Sequence, residues 1–232
     1  MRKSRTYKIT NILTDSQGYL SLRNLSALMS DVGYLQEVDV EDKVDMGRYR
    51  WIVYKWDIEV LDHIKLNDEV TITTIPTHMN KFYAYREFSV ERQGYLVVRA
   101  RADFMLIDID RLRPVKIPAN IAEAYGHEDE SLRPPKLKYS KDLDFVKDIQ
   151  VRRADIDTNL HVNNGVYFDY VKEITGVNDK DIEYINLVYR NEIRNKDFVK
   201  GYAKREGDII EYALRSTEDD TVYSLGKIKL HV

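Results

Sequence analysis

The sequence predicts an α+β protein made of two halves on one plan, each packing a helix against a mostly antiparallel sheet. Three observations carry this. A short strand, a helix and then four strand-like runs follow one another twice along the 232 residues. Within each half the runs sit close together with turn residues between them, which suits antiparallel neighbours. The halves are separated at residues 111–139 by a stretch that holds Pro114, Pro118, Pro134 and Pro135 and no sustained strand period.

The first half opens with a short strand at 7–13. Apolar residues Leu22, Leu25, Leu28, Met29, Val32 and Leu35 recur at helical spacing and predict a helix over 21–38, with Ser21 as its N-cap. Strand-like runs follow at 50–60, 69–76, 82–91 and 96–107. The last two alternate: Phe82, Ala84, Phe88 and Val90 share one face, as do Leu96, Val98, Ala100, Ala102, Phe104 and Leu106. The linker keeps one short helical turn near 121–125. In the second half a strand at 145–152 leads to a helix at 164–175. Its apolar face is Val166, Tyr167, Tyr170, Val171 and Ile174, and Gly176 stops it. Strand-like runs at 182–190, 198–205, 209–215 and 222–232 complete the chain. The expected division is 1–135 and 136–232.

Composition narrows the function. A content of 43% hydrophobic and 32% charged residues fits an ordinary globular protein. A net charge of −3 gives no global attraction to nucleic acid. The absence of cysteine removes disulfides, thiolate metal sites and a Cys nucleophile. The basic start, Met1 to Tyr7, has no apolar segment behind it, and no apolar run approaches the roughly 18 residues of a membrane span. A soluble cytoplasmic protein is therefore expected, with no metal and no cofactor. The run Gly126-His127-Glu128-Asp129-Glu130 reads as a solvated acidic loop. The oligomeric state stays open, and a homodimer is compatible with the sequence.

The chemistry concentrates in Arg152-Arg153-Ala154-Asp155-Ile156-Asp157-Thr158-Asn159-Leu160-His161-Val162-Asn163-Asn164. In an extended backbone Asp155, Asp157, Asn159, His161 and Asn163 project from one face. The row runs into a helix N-terminus, where free N–H groups stabilise negative charge. Of the five histidines only His161 sits among converging polar residues. Asp and Asn also cap helices and fill turns, so spacing alone does not separate a site from a helix start.

At these residues the chain resembles the acyl-acyl carrier protein thioesterases of bacteria and plant plastids. Asp157, Asn159 and His161 fall on the family's Asp-x-Asn-x-His pattern, followed by Val162-Asn163-Asn164. In Tyr189-Arg190-Asn191-Glu192, the Glu lies where the family carries a catalytic carboxylate. Weaker similarity runs from Arg50-Trp51-Ile52-Val53 to Arg101. The resemblance implies a tandem hot-dog fold, with acyl binding in the first half and hydrolysis in the second. Where the plant enzymes have a Cys after the Glu, this chain has Ile193.

The resemblance further implies Glu192 as general base, Asn159 and His161 orienting water or thioester, and Asp157 polarising its neighbours. Backbone near residues 164–166 is expected to hold the oxyanion. Met29, Val32 and Trp51 are expected along the acyl chain. The acidic partner, acyl carrier protein, is expected to meet Lys136, Lys138 and Lys141 or Arg111, Arg113 and Lys116. Three alternatives stand beside hydrolysis of acyl-carrier protein: an acyl-coenzyme A thioesterase of the same fold, a dehydratase, and a non-catalytic acyl-binding protein. Asn159 between Asp157 and His161 suits hydrolysis better than dehydration.

Overall fold

Strands, paired antiparallel throughout the described residues, build one continuous sheet against which the two longer helices pack. The computed structural model describes residues 2–128 and 132–231. The first half comprises β1 (Lys3–Lys8), α1 (Leu22–Glu41), β2 (Tyr49–Val60), β3 (Glu69–Met79), β4 (Tyr83–Arg92) and β5 (Tyr95–Asp108). The connection contains a two-residue β6 (Arg113–Pro114) and α2 (Ala119–Tyr125). The second half comprises β7 (Asp144–Gln150), α3 (Val166–Thr175), β8 (Ile182–Tyr189), β9 (Phe198–Glu206), β10 (Ile209–Arg215) and β11 (Val222–Leu230).

The sheet runs β1-β3-β4-β5-β2-β8-β11-β10-β9-β7, with β6 attached to β5. Its halves join where β2 pairs with β8, setting Trp56 opposite Leu187 and Ile58 opposite Ile185. Helix α1 packs on β1 and β3, α3 packs on β7, β9 and β10, and the two helices touch each other. This is the tandem hot-dog fold. The inward residues of the central strands are almost fully buried: Trp56, Ile58, Ala100, Ala102, Ile185 and Leu187. Each large side chain among them contributes about 1.5–3 kcal/mol by leaving water. No helix among the described residues is long and apolar enough to cross a membrane.

Local chemistry explains the element ends. The Ser21 side chain accepts from the Asn24 N–H at 3.2 Å and caps α1. Helix α3 ends at Gly176, whose φ of +67° is left-handed. Its face of Val166, Tyr167, Tyr170, Val171 and Ile174 is buried, and Phe168 is buried as well. Strand β9 crosses α3 so closely that a Cβ on Gly201 would lie 2.2 Å from Ile174 Cγ2.

Several boundaries differ from expectation, among them the end of α1, which runs on to Glu41 rather than stopping at 38. The opening strand spans 3–8 rather than 7–13, because Ile9 plugs the core and residues 11–13 turn into a 3-10 helix. Strand β3 continues past Pro76 to Met79 through an irregularity at Pro76/His78, where a missing N–H is tolerated. Helix α3 starts at Val166, two residues late, since Asn163 accepts the first amides instead. The acidic run at 126–130 and the final strand residue Val232 fall partly or wholly outside the described residues.

Candidate active site

The polar row is not an extended strand. The Asp157 N–H donates to the His161 carbonyl at 3.0 Å and the Leu160 N–H to the Asp157 carbonyl at 3.0 Å, closing a tight turn. Leu160 adopts a φ of +62° to complete it, an uncommon geometry for a leucine. The five polar residues therefore do not share one face. Asp155 turns inward, where its carboxylate accepts from the Arg152 Nη2 at 2.8 Å and from the Tyr170 hydroxyl at 2.7 Å. Burial alone would raise that carboxyl, but these bonds outweigh it and hold it below the usual carboxylate range. Asp155 is an anchor for the turn and for α3.

The turn brings three of the expected residues together with a fourth from far along the chain. His161 Nε2 lies 3.9 Å from Glu192 Oε1, and His161 Nδ1 lies 3.8 Å from Asp157 Oδ1. His161 Nδ1 is 3.1 Å from the Val162 carbonyl, which can only accept, so Nδ1 carries a proton. In the neutral ring Nε2 then presents a lone pair toward Glu192. Asp157 Oδ1 accepts from the Asn159 N–H at 2.8 Å, so the acid braces the turn itself. The Asn159 side chain is exposed.

Arg194 holds the two segments in register. Its Nε donates to Glu192 Oε2 at 2.6 Å, and its Nη1 donates to the Asn159 carbonyl at 3.1 Å. One Glu192 oxygen is thus tied down and the other faces the imidazole. Sequence reasoning missed Arg194; the visible signal was its spacing of two from Glu192 around the fully buried Ile193. Ile193 itself is structural: its N–H donates to the Tyr167 hydroxyl at 3.2 Å and its carbonyl accepts from the Val162 N–H at 3.0 Å. Burial raises the Tyr167 phenol, so it stays protonated.

The expected oxyanion backbone is partly engaged already. The Gly165 N–H donates to Asn163 Oδ1 at 2.9 Å and the Val166 N–H to the Asn163 carbonyl at 2.9 Å. Asn164, whose carbonyl accepts from the Tyr189 hydroxyl at 2.8 Å, is the residue of that stretch that also lines a cavity.

That cavity, about 240 Å³, lies between α1 and strands β2 to β5. Apolar and aromatic walls come from Trp51, Val53, Trp56, Met79, Phe88 and Phe104. Trp51, expected along the acyl chain, is one of the residues lining this cavity. Met29 and Val32 are fully buried in the core instead, and helix α1 presents Ser30, Gly33, Tyr34 and Glu37 to the cavity. The wall lies one residue, about 100° of rotation, around the helix from the apolar stripe that marks the core. The six basic residues considered for docking are all exposed. Lys136 also borders a separate cleft together with Tyr54, Tyr139 and Arg190.

Fold and site together define a double hot-dog protein with an imidazole–carboxylate cluster in its second half and an apolar cavity in its first, bordered by Asn164, three residues after His161. The chain belongs to the acyl-ACP thioesterase family: the family's N-terminal domain matches residues 2–125 and its C-terminal domain residues 138–229. The oleoyl-acyl carrier protein thioesterase 1, chloroplastic, of Arabidopsis thaliana is 24% identical over 178 residues, 68% of this chain and 49% of that protein. The chain spans about half the length of the curated relatives it matches. An acyl-ACP thioesterase from Bacteroides thetaiotaomicron superposes with a TM-score of 0.86 at 16% identity, covering 99% of this chain and 98% of that one. The 12:0-ACP thioesterase from Umbellularia californica gives 0.81 at 18% identity, covering 99% and 97%. At these identities the superpositions establish the fold.

Proposed function

We propose that this chain hydrolyses fatty acyl-acyl carrier protein, releasing the free fatty acid and the carrier's thiol. The observation that carries the proposal is the meeting of His161 Nε2 and Glu192 Oε1 at 3.9 Å, from segments about thirty residues apart in sequence. Two acceptors at that separation cannot bond to each other, but one water can donate to both. Glu192 takes the proton of that water as oxygen attacks the thioester carbonyl. Positioned acid–base catalysis of this kind contributes about 10²–10⁴ in rate. Collapse of the tetrahedral intermediate breaks the C–S bond, and the protonated Glu192 returns its proton to the thiolate.

Asp157 and Asn159 shape the turn that presents His161. Asn164 and the start of α3 supply donors and positive dipole for the oxyanion. The acyl tail occupies the cavity of the first half, residues 1–135, with Trp51 on its wall, while residues 136–232 carry the chemistry. The acidic carrier docks on exposed cations such as Lys136, Lys138 and Lys141, with Arg111, Arg113 and Lys116 as a second group. The test is thiol release from acyl-carrier protein and acyl-coenzyme A across a salt series. Faster turnover of the carrier-bound substrate, with the steeper fall as salt rises, is expected. Equal salt dependence points to coenzyme A, and no release from either removes the hydrolytic role.

A further inference from the structure

The cavity wall holds a feature that a plain hydrocarbon tail does not need. Strand β4 turns Ala84, Arg86, Phe88 and Val90 inward, so a guanidinium interrupts an otherwise apolar face. Arg86 is buried and lines the cavity. Burial pushes it down from its ordinary range to about 10, so its surroundings work against its charge. Its partners Gln36 and Thr74 are neutral acceptors, Thr74 at 3.3 Å, and both bonds leave from Nη1. A guanidinium has five N–H donors, three of them on Nε and Nη2. Gly33 of α1 leaves room beside it, since even a Cβ there would stand 3.9 Å from Arg86 Cδ.

An alkyl tail filling this space lays hydrocarbon against those donors, which is unfavourable for an uncompensated polar group. A tail oxygen satisfies them. We propose that the cavity is built for an acyl tail bearing a neutral oxygen, a hydroxyl or oxo group, remote from the thioester, and that Arg86 receives it. Glu37 lines the same wall and favours the Arg86 charge, so a carboxylate on the tail is disfavoured. The position along the tail follows from α1. Arg23 lies against Gly165 at the catalytic end, and Gly33 lies against Arg86. Ten residues of helix separate them by about 15 Å.

The inference rests on the acyl-binding role proposed above but is tested without hydrolysis. Displacement of a fluorescent fatty acid from the full chain is measured with plain fatty acids and with ω-hydroxy fatty acids of matched lengths. At the best length the hydroxy acid should bind at least about tenfold tighter, the scale of a hydrogen bond to a charged donor. Arg86→Leu should invert the preference, and Arg86→Lys should keep it in weakened form. Equal or tighter binding of the plain acid by the unaltered chain at every length overturns the inference, with no variant needed. So does an Arg86→Leu protein with an unchanged ratio. Thiol release from plain acyl-carrier protein, run alongside, separates the two proposals: hydrolysis without a hydroxyl preference overturns this one alone.

Discussion

Glu192 owes its orientation to Arg194, and this defines a role that differs from catalysis itself. The guanidinium spans from the carboxylate to the Asn159 carbonyl, fixing the second-half loop against the turn that carries His161. Arg194→Ala should lower kcat about tenfold or more while KM and the thermal midpoint stay near their original values, since misplacement by about 1 Å is costly in a poised site. Arg194→Lys, with a point charge in place of a planar fork, should recover part of the loss. Steady-state kinetics on acyl-carrier protein check this. A rise in KM with kcat intact would instead make Arg194 a substrate contact. At this scale the residue types of the site were legible in the sequence, and their geometry was not. Alternation assumed an extended backbone, whereas hydrogen bonds between Asp157, Leu160 and His161 fold the row into a turn. Arg86 was visible as a charge at an inward position between Ala84 and Phe88, a conflict with the pattern that the apolar list passed over.

Among the elements, the 3-10 turn at Arg153–Asp155, just ahead of the candidate-site turn, depends on a buried charge. Asp155 ties Arg152 and Tyr170 to one buried carboxylate, and hence ties the turn to α3. Its folded-state ionisation lies below that of an unfolded Asp, near 3.9. Stability from this group is therefore complete above about pH 4 and is lost as pH falls through the folded value. Asp155→Asn should cost about 1–3 kcal/mol at pH 7 through weakened buried hydrogen bonds, and should show a smaller further loss on acidification than the unaltered chain. Urea unfolding at pH 7 and below pH 4 measures both; an undiminished acid loss in the variant would assign acid sensitivity elsewhere. The helices were legible because their spacing and their caps agree: Ser21 and Gly176 end α1 and α3 where the pattern does. Strand ends were less legible. Pro76 looks like a stop, yet β3 runs on through the local irregularity.

At the scale of the whole molecule, the pairing of β2 with β8 turns two similar halves into one sheet. Neither the linker's prolines nor the repeated order of elements revealed that contact, because register between distant strands depends on packing that no local pattern encodes. With Ile58, Ile185, Trp56 and Leu187 buried across the junction, separating the halves would expose two central strand edges. Thermal unfolding should therefore give one calorimetric transition whose van't Hoff and calorimetric enthalpies agree; two resolved transitions would show the halves to be independent. The central claim concerns the site that this sheet assembles at its second half, and one measurement reaches it most directly. Thiol release from acyl-carrier protein is followed for the unaltered chain, His161→Ala and Glu192→Ala, with folding checked by circular dichroism. The account predicts that each folded variant loses a hundredfold or more in turnover, on the scale of positioned acid–base groups. Near-normal turnover in either folded variant would contradict it.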